Sequence, residues 1–423
     1  MRSVNSFYVL MIVSLLFMGA IIPSLMVVFT FENNPWEMYF TLHSEYAKYK
    51  ALLYTIVCSF VFLFLAKIYK PTYPKPVPFQ TLSLSNNVRN ICFLSGLLGI
   101  LIDLLLNASF GMAASNVVSQ RPVFATLLGY LSGIFKFGFF VLLIDELIAS
   151  KYISKRTTIL LILYMLSTAF AGSRSGFITI FLIIVCALAY SPIANIVSIG
   201  VKTLRQESKS HFSSKKFLII FIAFSVITLL MGQLVRHEGD FSQLGTLFFE
   251  GAVRFYLNNV ALYLAIEDQE RIYKILMDNQ PTVVLSQFLS VFGIPRELPS
   301  SFRLLEWWGA SVEMTEDGHF PGYAYGWLGL SFGLFGWFGM IFVALIFVFL
   351  FSILRNSSRK PATLYNRLVF NLAALMLFEF FSNLGLDSFV EKAVKGWIYS
   401  IIFYLFVLTN IFLFRQNLRA WGT

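Results

Sequence analysis

Residues 158–199 read TILLILYMLSTAFAGSRSGFITIFLIIVCALAYSPIANIVSI, and Arg174 is the only charged residue among these 42. As a single α-helix this stretch would be about 63 Å long, twice the thickness of the hydrocarbon layer of a membrane. We therefore expect it to break at Gly172-Ser173-Arg174-Ser175-Gly176, where the two glycines permit a tight turn. The stretch predicts a hairpin of two membrane-spanning helices, with Arg174 held at the membrane surface.

The whole chain has the composition of an integral membrane protein. Of its 423 residues, 57% are apolar and only 13% are charged, against about 25% charged residues in a typical soluble domain. This excludes an ordinary soluble enzyme. The formal charge of +10 does not indicate nucleic-acid binding, because the basic residues lie in short segments between apolar runs. We predict an all-α polytopic membrane protein.

Apolar runs of the length of a membrane span occur ten times in the chain. The first of them is read as a retained helix rather than a signal peptide, because it is too long for one and further spans follow. This gives seven spans in residues 1–235, a large extracytoplasmic loop in residues 236–322 and three spans in residues 323–423. The ten runs are Phe7–Phe31, Ala51–Ala66, Ile91–Asn107, Val123–Ile144, Thr158–Ala171, Phe177–Ile199, Phe217–Val235, Tyr325–Leu350, Leu364–Ser382 and Gly396–Phe414.

The distribution of lysine and arginine predicts the orientation of these spans. The segments on one side carry 19 basic residues and three acidic ones, and those on the other side carry 12 basic and 17 acidic residues. Because cytoplasmic loops retain basic residues, the first side is expected to be cytoplasmic. Both termini then lie in the cytoplasm, and the 87-residue loop lies outside it.

The large loop contains two apolar segments. Leu247–Ile266 places Glu250, Arg254 and Asn258 at intervals of four residues, so they share one face of a helix. Pro281–Ile294 is too short to span and is interpreted as an interfacial or re-entrant helix. If both segments crossed the membrane, the number of spans would be twelve.

Arginines at the outer surface are the candidate ligands of a phosphate group. Arg174 lies in the predicted turn, and Arg254 lies on an apolar helix, where a positive charge is costly without an anionic partner. The alternatives are that Arg174 reaches lipid headgroups and that Arg254 forms a structural salt bridge with Glu250. Two further arginines, Arg296 and Arg303, follow in the loop. Trp307 and Trp308 come after them and could stack on a sugar or belong to an interfacial belt.

Residues 313–325 add acidic groups and a histidine at the same surface. Glu316, Asp317 and His319 could each accept a proton from a sugar hydroxyl, although a single histidine is more often structural. Inside the predicted spans, Asp103, Lys136 and Glu379 would fit either a transport pathway or an ion pair between helices. The sequence has no Walker A motif, DxD pair, HExxH or CxxC, so a transferase of this kind would use a donor activated without a nucleotide.

The chain resembles the O-antigen polymerase (Wzy) family of oligosaccharide repeat-unit polymerases. The resemblance rests on its length and apolar character and on three segments, Ala171-Gly172-Ser173-Arg174-Ser175-Gly176, Arg254-Phe255-Tyr256 and Pro321-Gly322-Tyr323-Ala324-Tyr325-Gly326. It implies a multi-helix (GT-C type) glycosyltransferase of the bacterial inner membrane that needs no metal or other cofactor. Such an enzyme moves a growing glycan from undecaprenyl diphosphate onto an undecaprenyl-diphosphate-linked repeat unit at the periplasmic face.

The same resemblance suggests roles for the candidate residues. Four arginines would bind the diphosphate, Trp307, Trp308 and Tyr325 would bind sugar, and a protein that regulates chain length is a possible partner. The catalytic residues would be Arg254 and a base. The candidates for the base are Glu250, Glu316, Asp317 and His319, and the sequence does not rank them. The alternatives are an O-antigen ligase, whose acceptor is lipid A core, and a transporter or flippase of lipid-linked glycans.

Overall fold

A computed structural model describes residues 44–68, 83–114, 123–149, 153–170, 174–190, 260–277, 326–381 and 386–421, with two isolated positions at 282 and 285. Within these ranges nearly every residue is helical and none belongs to a strand. The helices are α1 (Glu45–Ile68), α2 (Asn86–Ala114), α3 (Val123–Ala149), α4 (Lys155–Phe170), α5 (Arg174–Tyr190), α6 (Val260–Glu267), α7 (Gln269–Met277), α8 (Gly326–Phe335), α9 (Gly339–Arg359), α10 (Leu364–Phe381) and α11 (Leu386–Trp421).

The prediction of an all-α membrane protein is confirmed. Among the described residues, four helical segments are long and apolar enough to cross a membrane. Eight of the ten predicted spans overlap helices of the structure, whereas Phe7–Phe31 and Phe217–Val235 lie outside the described residues. The total number of spans therefore remains a prediction. The four segments are Asn86–Asn107, Leu127–Ala149, Leu328–Ser358 and Ala393–Leu413.

Charged contacts join several helix ends at one end of the bundle, which we call the Asp145 end. Asp145, near the end of α3, accepts hydrogen bonds from the backbone N–H of Leu84, just before α2, and from Nε of Arg367 in α10 at 3.0 Å. The neighbouring Glu146 accepts hydrogen bonds from Nη2 of Arg89 in α2 at 2.7 Å and from the backbone N–H of Ser154, just before α4, at 2.7 Å. Here α3 ends, and α2, α4 and α10 begin.

Other contacts fix the directions of α1 and α9. The hydroxyl of Tyr54 would lie 2.9 Å from a Cβ atom added to Gly339. Eight residues further along both helices, the rings of Phe62 and Phe347 pack edge to face with centroids 4.6 Å apart. The two helices therefore run side by side in the same direction, and α9 ends at the Asp145 end, close to the start of α10.

A close approach of α2 and α3 rests on glycine. A Cβ atom on Gly96 would lie 2.7 Å from the backbone nitrogen of Phe139, and one on Gly99 would lie 2.7 Å from that of Lys136. Any larger residue would force the two backbones apart, because neither contacted atom can rotate away. This approach brings the intramembrane charges of the two helices together.

The predicted eighth span, Tyr325–Leu350, overlaps the candidate span Leu328–Ser358, but its helix is interrupted. The helix ends at Phe335, and a 3-10 turn over Gly336–Phe338 separates α8 from α9. Gly336 has a φ of 56°, in the left-handed region that glycine adopts without a Cβ penalty. With 21 residues, α9 is about 31 Å long and can cross the hydrocarbon layer alone.

Short helices from the large loop cover the other end of the bundle. The eight residues of α6 and the nine of α7 are each less than half the length of a membrane span. Both pack against α8, and α6 also packs against α1. The backbone N–H of Ser44, just before α1, donates to Oε1 of Glu267 at 2.9 Å. Of the predicted helix Leu247–Ile266, residues 247–259 lie outside the described residues.

Candidate functional site

The α4–α5 hairpin forms the part of the predicted site that the structure describes. The helix α4 ends at Phe170 and α5 begins at Arg174, so the predicted division into two helices is confirmed, whereas residues 174–176 of the predicted turn belong to α5. A Cβ atom on Gly176 would clash with the Thr168 side chain, which shows that the two helices lie very close at the turn. Since α4 begins at the Asp145 end, Arg174 lies at the opposite end, which we call the Arg174 end.

The start of a helix is a favourable place for an anion. The first backbone N–H groups of an α-helix have no partner within the helix, and the helix dipole places partial positive charge there. An arginine as the first residue adds a full positive charge that phosphate can bind through two hydrogen bonds. The chain thus combines two sources of positive potential at the Arg174 end.

Close to this hairpin lies a group of polar side chains from α2, α3 and α4, which we call the Asp103 cluster. Nζ of Lys136 lies 2.6 Å from Oδ2 of Asp103, and Oγ of Ser132 lies 2.8 Å from Oδ1. Oγ of Ser167 lies 3.4 Å from Oδ2. The amide nitrogen of Asn107 donates to the backbone carbonyl of Ser167 at 3.2 Å. The cluster therefore ties together three helices.

The Asp103 cluster extends from the middle of α3 toward the end of α4, and its ion pair is not fully buried. Ser167 lies three residues before the end of α4, a rise of about 4.5 Å. The side chains of Lys136 and Asp103 keep 21% and 27% of their exposure, so this ion pair is not sealed within the bundle. An ion pair between Asp103 and Lys136, one of the two interpretations that the sequence allowed, is confirmed as a contact.

The remaining predicted site residues lie outside the described residues or are described through their backbone alone. The helix α10 includes Glu379 in its last turn, but the position of that side chain is not described. Arg174 is placed through its backbone alone. The other predicted catalytic, diphosphate-binding and sugar-binding residues lie outside the described residues: Glu250, Arg254, Arg296, Arg303, Trp307, Trp308, Glu316, Asp317, His319 and Tyr325.

Sequence reasoning missed the hydroxyl and amide members of the Asp103 cluster. Ser132 and Lys136 lie four residues apart and so share one face of an apolar helix, which was the available signal. Ser167 and Asn107 carried no such signal, because serine and asparagine occur singly in many apolar helices. Among the described residues, no group of three or more histidine, cysteine, aspartate or glutamate side chains is arranged to hold a metal ion.

Comparisons of the whole chain with family models, curated proteins and solved structures give no match.

Proposed function

We propose that the protein is a polymerase of lipid-linked oligosaccharides in a bacterial inner membrane. The observation that supports this most is the α4–α5 hairpin, which makes Arg174 the first residue of a helix at one end of the bundle. The Asp103 cluster contacts the first helix of this hairpin at Ser167, three residues before that helix ends. A diphosphate that is anchored in the membrane by a polyprenyl chain would reach this depth.

The reaction is the transfer of a glycan without a nucleotide. A hydroxyl oxygen of the acceptor sugar attacks the anomeric carbon of the donor glycan, and the bond from that carbon to undecaprenyl diphosphate breaks. The diphosphate leaves with the bonding electron pair, and the acceptor proton passes to a base. Arg174 and Arg254 would neutralise the charge that develops on the leaving group. Glu250, Glu316, Asp317 and His319 are the candidates for the base.

The orientation proposed for the enzyme places the Arg174 end outside the cytoplasm. The contacts of the Asp145 end gather Arg89 and Arg367, and Arg156 donates to Asn90 beside them. Arg355 and Lys360 lie near the end of α9. Because cytoplasmic ends of spans retain basic residues, the Asp145 end is the one that would face the cytoplasm, with both termini on that side.

A transport function is the second candidate, and the Asp103–Lys136 ion pair is the observation that favours it. Ionisable residues within spans are often parts of transport pathways. The pair, however, is held by hydroxyl groups within a close contact of α2 and α3. A fixed contact of this kind is better explained as a structural support of the neighbouring hairpin than as a transport group, because a transport group must change partners.

The test is a reaction with purified protein and lipid-linked oligosaccharide extracted from the native host cells, without nucleotide or added metal. The proposal predicts a ladder of products that increase by whole repeat units. Transfer only after lipid A core is added would instead identify a ligase. Movement of the lipid-linked sugar between leaflets of a vesicle, with no transfer to any acceptor, would contradict the proposal and favour transport.

A further inference from the structure

The break between α8 and α9 presents a tryptophan at the Arg174 end. Trp337 lies in the 3-10 turn between the two helices and keeps 40% of its exposure. The turn exists because Gly336 adopts a positive φ, and it points the chain sideways where a continuous helix would have continued. The exposed indole is therefore a product of the break.

The indole is held firmly by its neighbours. Its ring packs edge to face against Tyr54 with centroids 5.6 Å apart, and against Phe332 with centroids 6.1 Å apart. Tyr54 is fully buried, and its hydroxyl lies 3.0 Å from Oγ of Ser331. A partly exposed aromatic ring whose other edges are fixed is a preformed surface for a flat apolar ligand.

A polar side chain from the large loop lies beside Gly336, the residue that precedes Trp337 in the turn. The two amide atoms of Gln269, the first residue of α7, would lie 3.2 and 3.3 Å from a Cβ atom added to Gly336. Exposed charged residues follow it in α7, where Glu270 and Lys274 form an ion pair of 3.2 Å. The helix that contacts the turn at Gly336 is therefore polar on its exposed side, unlike a helix that faces acyl chains.

We propose that Trp337 and Gln269 form a binding site for a pyranose ring of the lipid-linked glycan. The C–H groups on one face of the sugar would pack on the indole, and the amide of Gln269, which has two donors and an acceptor, would bind its hydroxyls. This proposal rests on the proposed function and assigns residues that the sequence did not single out.

The position of this site agrees with the diphosphate site at Arg174. The helices α5 and α9 pack against each other, and both begin at the Arg174 end. Axes of packed helices are about 8 to 10 Å apart. The starts of α5 and α9 therefore belong to neighbouring helices at the same end of the bundle, as a site shared by one lipid-linked glycan requires.

The competing interpretation is that Trp337 belongs to a belt of interfacial tryptophans that contact lipid. Trp397 in α11 provides a matched control, because it keeps 55% of its exposure and lies in the first third of a helix on another part of the bundle. In the first interpretation Trp337 contacts the sugar of a lipid-linked glycan, and in the second it contacts lipid.

The experiment measures the binding of two probes to purified protein in detergent. The probes are undecaprenyl diphosphate with the oligosaccharide from the native host cells, and undecaprenyl diphosphate alone. We expect Trp337→Leu to weaken binding of the first probe by roughly 5- to 20-fold and to leave binding of the second unchanged. Trp337→Phe, which keeps an aromatic ring against Tyr54 and Phe332, should weaken binding of the first probe less than Trp337→Leu does. Trp397→Leu should match the unmodified protein with both probes.

Two results would overturn the site. Equal weakening of both probes by Trp337→Leu would show a contact with lipid, and no weakening of either would show that the indole makes no contact with the ligand. Gln269→Ala provides a second variant in case Trp337→Leu fails to fold. It is also expected to weaken binding of the first probe and to leave binding of the second unchanged. Failure of the proposed function is a separate result, because it would appear as the absence of a product ladder from the unmodified protein.

Discussion

At the scale of single residues, two ion pairs join helices in the described part of the bundle. Asp145 and Arg367 are both fully buried, and their side chains join α3 to α10 through a contact of 3.0 Å. The Asp103–Lys136 pair joins α2 to α3 in the same way. Each pair lies within a close helix contact, so the loss of one partner would leave a charge in an apolar environment.

The Asp145–Arg367 pair should be essential for stability. We expect Asp145→Asn to lower the free energy of unfolding by about 3 to 5 kcal/mol, because it leaves Arg367 buried without its counter-charge. Glu270→Gln removes an acid from an exposed pair and should have little effect. Thermal unfolding of the detergent-purified variants provides the comparison. Equal unfolding temperatures for Asp145→Asn and Glu270→Gln would contradict this account.

The Asp103–Lys136 pair allows the effect of one unpaired charge on stability to be separated from the effect of removing both charges. Asp103→Asn should destabilise the protein, but by less than Asp145→Asn, since Lys136 is then uncompensated yet keeps 21% of its side-chain exposure. The double variant Asp103→Leu with Lys136→Leu removes both charges and should recover most of that loss. Unfolding temperatures measure this recovery, and a double variant no more stable than Asp103→Asn would rule out the pair as the cause.

The residues of the site show where sequence reasoning succeeds. Asp103 and Lys136 could be singled out because charges are rare in apolar runs, and their pairing was one of two interpretations. Trp337 could not be singled out, because the glycines around it fit helix packing equally well. Its exposure depends on the φ of Gly336, which a pattern of glycine spacing does not determine.

At the scale of elements, the two helix breaks at the Arg174 end have different physical origins. The break before Arg174 is required by length, since a largely apolar stretch of 42 residues cannot lie in one span, and so the sequence predicts it. The break at Gly336 is not required in this way, because the 26 residues of Tyr325–Leu350 fit a single span. It arises from local packing around Gly336 and Gly339, where a Cβ atom on Gly339 would clash with the carbonyl of Ser331.

The break at Gly336 predicts contrasting effects of two glycine substitutions. Gly336→Ala should destabilise the protein by about 1 to 2 kcal/mol, because alanine is strained at a φ of 56°. Gly129 lies within α3, and a Cβ atom there would meet nothing within 4 Å. Gly129→Ala should therefore be neutral or stabilising by up to about 1 kcal/mol. Unfolding temperatures that fall in the opposite order would contradict the assignment of the turn.

At the scale of the whole molecule, the bundle has two chemically different ends. The Asp145 end joins arginines to buried acids, and the Arg174 end carries the turn of the hairpin and the short helices of the large loop. Contacts such as Asp145 with Leu84 and Tyr54 with Gly339 give helix directions that agree with the alternating spans expected from the sequence. The folding of α6 and α7 onto the bundle was not predictable, because it depends on packing between segments distant in the chain.

The most direct test of the account replaces Arg174 in the product-ladder reaction. We predict that Arg174→Ala abolishes the ladder and that Arg174→Lys, which keeps the charge but not the two-point contact with phosphate, retains a small part of it. Arg156→Ala, which removes an exposed arginine at the Asp145 end, should produce the full ladder. A full-length ladder from Arg174→Ala, with all variants equally folded, would show that the hairpin does not hold the diphosphate.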